Sequence, residues 1–182
     1  MSLNEPKKIK LNTRTIVLIA IMAATIEVAK LSLAILPNIE VVTLLCAIYG
    51  YVFGWYGVIA AAVFVCIEPL IYGIDTWVVT YFIYWPLVSI VFFALSKLGV
   101  KKRLPLTAVA LALTLFFGLL SSLVDCLAFG IGIHYLKNVV LMYIRGISFY
   151  INQLVCNGVV FPLLFIPLSK KLREIGIPFL KS

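Results

Sequence analysis

The sequence predicts an all-α fold: an integral membrane bundle of six transmembrane helices, one domain over residues 1–182, with both termini in the cytoplasm. Three observations carry this. Hydrophobic residues make up 64% of the chain and charged ones 12%, a balance that excludes a soluble globule. The apolar residues run in long unbroken stretches without the ten-residue alternation of a barrel strand, and a bilayer core of about 30 Å takes about 20 helical residues. Twelve of the fifteen basic residues fall in three clusters. These are Lys7, Lys8, Lys10 and Arg14; Lys97, Lys101, Lys102 and Arg103; and Lys170, Lys171, Arg173 and Lys181.

Basic clusters stay on the cytoplasmic side. The chain therefore starts, pauses and ends inside, so the crossings between clusters are even in number. About 80 residues from Arg14 to Lys97 give four spans, and the stretch from Arg103 to Lys170 gives two. They fall at about 13–36, 40–54, 57–73, 79–97, 105–130 and 145–169. The net charge of +8 orients the chain and meets anionic headgroups of the bilayer, and it calls for no nucleic acid. The first apolar run is too long for a secretory signal and lacks a small-residue cleavage site.

The first span carries small residues, Ala20, Ala23 and Ala24, in its inner half. Small side chains let membrane helices approach closely, so this stripe is a candidate docking surface. Its outer half carries Glu27 and Lys30. Counted from Arg14 at about 1.5 Å per residue, they lie about 20 and 24 Å along the helix, past the bilayer centre. Charges at such depth default to a functional hypothesis; neutralisation of one by the other on the same helix is the structural alternative.

Gly50, Gly54 and Gly57 interrupt the apolar block of the second and third spans. A re-entrant hairpin is the alternative to two crossings there. The third span ends at Glu68 before Pro69. The fourth is aromatic, and the fifth ends near Ser121, Ser122 and Asp125. His134 falls in the outer loop, and the sixth span carries Asn152, Gln153 and Asn157. Cys46, Cys66, Cys126 and Cys156 sit singly inside spans, as packing residues rather than ligands or disulfides.

Every charge outside the inner set maps outward: Glu27, Lys30, Glu40, Glu68, Asp75, Asp125, Lys137 and Arg145. Tyr72, Trp77, Tyr81, Tyr84, Trp85, Tyr135, Tyr143 and Tyr150 follow the same geography. An aromatic belt at the headgroups accounts for some of these residues but not for intramembrane carboxylates. A cavity with aromatic walls and a few convergent polar groups is the usual construction of a small-molecule site. The candidate substrate-binding residues are Glu27, Lys30, Asn38, Glu40, Glu68, Tyr72, Asp75, Trp77, Tyr81, Tyr84, Trp85, Asp125, Tyr135, Arg145 and Asn152.

No Gly-rich phosphate loop ending in Gly-Lys-Ser or Gly-Lys-Thr occurs, so any ATP is used by partner subunits and no cofactor is expected in this chain. Zinc-protease and nucleophile-elbow motifs are absent, which argues against an enzyme and leaves no catalytic or metal residues to name. The charge pattern of the first three spans does not recur in the last three, unlike a repeat-built secondary transporter.

With these features the chain resembles the substrate-binding S component of energy-coupling factor (ECF) vitamin transporters, over its whole length. The segment Leu18-Ile19-Ala20-Ile21-Met22-Ala23-Ala24 matches the family's Ala-x-x-x-Ala pattern at Ala20 and Ala24. The resemblance implies that this stripe docks on a transmembrane T subunit driven by two ATPase subunits. It also implies a vitamin bound near the extracellular surface of the cell membrane and released inside when the S component topples. The segment Leu36-Pro37-Asn38-Ile39-Glu40-Val41-Val42-Thr43-Leu44 is similar to a loop in a subset that includes cobalamin-specific members. That implies cobalamin or a related corrinoid, with pantothenate or hydroxymethylpyrimidine as smaller alternatives. An autonomous ion-coupled carrier using Glu27, Glu68 or Asp125, and a non-transporting assembly protein, are the competing classes.

Overall fold

The structure, a computed structural model, describes residues 11–35, 39–129 and 135–181. The described residues form seven α-helices and no strand: α1 Thr13–Leu33, α2 Val42–Phe53, α3 Trp55–Tyr72, α4 Thr76–Lys97, α5 Arg103–Ala128, α6 Tyr135–Arg145 and α7 Ile147–Lys181. Five of them, α1, α3, α4, α5 and α7, are long and apolar enough to cross a membrane.

The helix starts follow local chemistry. Asn12 closes a capping box at α1: its Oδ1 accepts from the Thr15 amide at 2.9 Å, and the Asn12 amide donates to Thr15 Oγ1 at 2.8 Å. Such reciprocal bonds satisfy orphan donors of the first turn. Asp75 caps α4, its Oδ1 accepting from the Thr76 amide at 2.6 Å. This cap starts the helix at Thr76, a turn before the boundary expected near residue 79.

Where two crossings were expected between residues 40 and 73, the chain forms one short helix and one long one. α2 has 12 residues, about 18 Å of rise, well short of the hydrocarbon thickness. Ten of those residues are buried, as expected of a helix apolar on all sides. It is a core helix, packed against α3, α4 and α7. A single residue, Gly54 with φ of 60°, joins it to α3.

Close backbone approach builds this core. A Cβ on Gly50 of α2 would lie 2.1 Å from the Ser89 carbonyl oxygen of α4. One turn earlier, Ser89 Oγ donates to the Cys46 carbonyl at 2.9 Å. Small residues and an interhelical hydroxyl bond hold the pair together, as apolar surroundings require. Farther along, Phe92 of α4 meets Phe161 and Phe165 of α7 with ring centroids 5.7 and 5.3 Å away.

Two features of the C-terminal third depart from expectation. α6 adds a helix between the last two spans, against α5, where Val139 is buried and Cys126 Sγ lies 3.7 Å from Met142 Sδ. α7 runs for 35 residues, about 52 Å at helical rise. The expected end near residue 169 is passed, and Lys170, Lys171 and Arg173 continue the same helix.

Candidate functional site

The bundle has two dissimilar ends. At one, Tyr51 Oη of α2 donates to the Val100 carbonyl of the α4–α5 connection at 2.8 Å, beside Lys101, Lys170 and Arg173. At the other end lie Lys30, Glu40, Glu68 and Gln153.

The second end holds a cavity of about 200 Å³. Tyr81 and Trp85 of α4, Phe117 of α5 and Phe149 of α7 form its aromatic walls, with Phe64 of α3 behind them. The rings interlock: Tyr81 lies 5.5 Å from Trp85 edge-on, and Trp85 stacks 6.1 Å from Phe117. Offset and edge-to-face contacts suit the ring quadrupoles and hold the walls rigid. Leu33, Ala34, Ile39 and Val42 complete the apolar lining.

Among the described residues, three polar side chains line this cavity besides Tyr81 and Trp85: Lys30, Glu40 and Gln153. Glu40 lies just before α2. Its Oε2 accepts from the Thr43 amide at 2.9 Å, and its Oε1 accepts from Thr43 Oγ1 at 2.6 Å and Asn157 Nδ2 at 3.3 Å. Asn157 also donates to Thr114 Oγ1 at 3.0 Å, tying the α1–α2 connection to α7 and α5. The carboxylate is thus fixed in place by neutral donors and still faces the cavity. The Trp85 indole N–H is buried with no hydrogen-bond acceptor among the described residues.

Lys30 is held by two kinds of contact. Its Nζ is ion-paired to Glu68 of α3 and lies 4.2 Å from the centroid of Tyr72 and 5.9 Å from that of Tyr81. A cation over ring faces gains electrostatic stabilisation that grows as water is excluded. Glu27 is 7% exposed and lies beside the Glu68 carboxyl group, within electrostatic reach of Lys30. The ion pair that the sequence offers between Glu27 and Lys30 is not formed.

The remaining expected residues, among those described, are not in the cavity lining. Asp75 and Asp125 meet through Thr76, whose Oγ1 donates to Asp125 Oδ1 at 2.5 Å, clasping α4 to α5. Trp77 packs edge-on against Tyr81 at 5.1 Å, and Tyr84 is buried against Trp85 and Phe117. Tyr135 and Arg145 bound α6. Asn152 is exposed, while its neighbour Gln153 is buried at the cavity. Asn38 and His134 lie outside the described residues. Phe64, Phe117 and Phe149 join the site without having been singled out for it, and Gln153 lines it where Asn152 was expected to. The phenylalanines carry no polar tip to mark them, and Gln153 differs from Asn152 only by a rotation of about 100° on the helix.

On α1 the three alanines divide. Ala20 and Ala24 are exposed on the outside of the bundle, and Ala23 is buried in the core.

No family model, curated protein or solved structure matches this chain.

Proposed function

We propose that the chain is the ligand-capturing membrane subunit of an ATP-driven uptake system of the ECF type. In this reading it crosses the cell membrane six times, with α2 and its flanking connection making the short passage, and both termini face the cytoplasm. The aromatic cavity then opens outward and receives a vitamin, while Ala20 and Ala24 dock on a transmembrane T subunit carrying two ATPase subunits. The observation that carries the proposal is the cavity itself: four aromatic walls with Lys30, Glu40 and Gln153 convergent on it, at the end of the bundle away from Lys101, Lys170 and Arg173. A concave, mostly apolar site with a few placed polar groups is built for binding.

The loop resemblance makes a corrinoid the first ligand to test. The cavity volume favours a smaller vitamin or precursor such as pantothenate or hydroxymethylpyrimidine, since about 200 Å³ lies below the roughly 300–1,000 Å³ of sites for drug-sized ligands. A corrinoid would have to sit across the mouth.

Mass spectrometry of small molecules carried through purification from rich medium tests the reading. A stoichiometric vitamin-class compound is the expected result. Concentrative uptake by this chain alone, abolished when an ion gradient is dissipated, would replace the proposal with an autonomous carrier.

A further inference from the structure

The basic end of the bundle contains a second cavity, of about 250 Å³, bounded by α2, the α4–α5 connection, α5 and α7. Its floor is apolar, including Leu106 and Phe165, and its rim carries Lys101, Lys170 and Arg173. No carboxylate among the described residues lines it. The nearby acid Glu174 is engaged elsewhere, 3.6 Å from Lys171. Lys101, Lys170 and Arg173 are exposed and form no ion pair among the described residues. The Arg173 guanidinium is steadied over the Tyr51 ring at 5.9 Å.

A topology signal requires only that basic residues lie on the inner side; it does not require three of them to converge on one concavity. Like charges gathered there repel one another unless an anion sits between them. Ser169 supplies an independent indication. It lines the same cavity and is 6% exposed, and its Oγ has no hydrogen-bond partner among the described residues. Helical serines ordinarily return their hydroxyl proton to the carbonyl four residues back, and an unmade bond at a buried hydroxyl is costly. The donor is buried and unused, and its residue lines the same cavity as the three cations.

We propose that this cavity binds a phosphate group. The planar guanidinium of Arg173 and the point charges of Lys101 and Lys170 suit a tetrahedral oxyanion, and the Ser169 hydroxyl supplies a further donor. The apolar floor suits a phosphate carried on a lipid, whose glycerol and first methylenes would rest against Leu106 and Phe165. A soluble phosphate ester has the same headgroup chemistry. The proposal is independent of the ligand assigned to the aromatic cavity.

The test uses the purified full chain in detergent in two arms. In the first, native mass spectrometry measures retention of phosphatidylglycerol offered in equal amount with phosphatidylcholine. In the second, inorganic phosphate is titrated at constant ionic strength while thermal stability is followed. Each arm compares wild type with Lys101→Gln/Lys170→Gln/Arg173→Gln, and with the equally neutralised control Lys97→Gln/Lys102→Gln/Arg103→Gln, which leaves the Lys171–Glu174 pair in place. At roughly fivefold per basic contact, the cavity triple should lose phosphatidylglycerol retention by at least tenfold and the control by less than about twofold. Ser169→Ala, which preserves every charge, should lose about threefold, and it keeps the test meaningful if the triple variant folds poorly. Retention that depends on the cavity residues assigns the phosphate to a lipid. Stabilisation by inorganic phosphate that depends on them, without lipid selectivity, assigns it to a soluble ester. Equal losses in both triples, or none in either, would overturn the proposal in favour of diffuse surface charge.

Discussion

Lys30 of α1 is ion-paired to Glu68 of α3, 38 residues further along the chain, at the edge of the aromatic cavity. Glu68 is fully buried and Lys30 lines the cavity, so the pair connects the site to the α1–α3 interface. Lys30 is also the nearby cation for Glu27, a second buried carboxyl on the same helix.

Removing the ammonium therefore strands two buried acids. Lys30→Met should destabilise the chain by about 3 kcal/mol, because an uncompensated buried charge costs more than the pair contributes. Lys30→Met/Glu68→Gln should recover part of that loss. Thermal unfolding of the three proteins in one detergent checks the order, and a double variant less stable than Lys30→Met would contradict it.

The α2–α4 contact makes a prediction about backbone geometry. Gly50→Ala places a methyl group 2.1 Å from the Ser89 carbonyl oxygen, and relief requires the two helices to separate. A cost of about 3 kcal/mol or more is expected, at the upper end of overpacking effects. Gly99 has open space around its Cβ position but a φ of +73°, so Gly99→Ala should cost only about 1 to 2 kcal/mol. Monodisperse yield and melting temperature distinguish the two.

Gln153 and Asn152 offer a one-residue test of the site. Gln153→Leu removes a polar group from the cavity lining and should weaken ligand binding about tenfold, the worth of one hydrogen bond to a ligand. Asn152→Leu alters an exposed position and should leave affinity unchanged within about twofold. Equal effects would place the ligand elsewhere. Phe117→Ala opens a wall of the cavity and should weaken binding by about tenfold or more.

For the proposed docking face, Ala20→Leu and Ala24→Leu should prevent co-purification with the proposed partner subunits while ligand affinity stays within about twofold, since both residues are exposed on α1 away from the cavity lining. Ala23→Leu behaves differently. It adds volume at a position 1% exposed and should cost about 1 to 3 kcal/mol of stability. Assembly and melting measured on the same preparations separate the two effects.

The long spans were legible because hydrophobic length and basic flanks are properties of local sequence. The aromatic fourth span could be read directly, and the clustering of Lys30, Glu40, Tyr81 and Trp85 followed from depth alone. Side-chain pairing was not legible in the same way. Glu27 lies one turn from Lys30 in sequence, and only the packing of α1 on α3 brings Glu68 to the ammonium instead. Phe64, Phe117 and Phe149 look like any lipid-facing phenylalanine until the helices assemble. The basic residues showed the opposite problem. Orientation alone accounts for them in sequence, and the shared cavity of Lys101, Lys170 and Arg173 depends on α7 continuing past residue 169.

The central claim is that this chain alone holds a ligand in the aromatic cavity. Calorimetric titration of the ligand-stripped, isolated chain with the compound identified by mass spectrometry tests it most directly, comparing wild type with Phe117→Ala. The account predicts saturable binding at one site per chain, weakened by about tenfold or more in the variant. A well-folded wild-type chain that binds nothing, or equal affinity in both proteins, would contradict it.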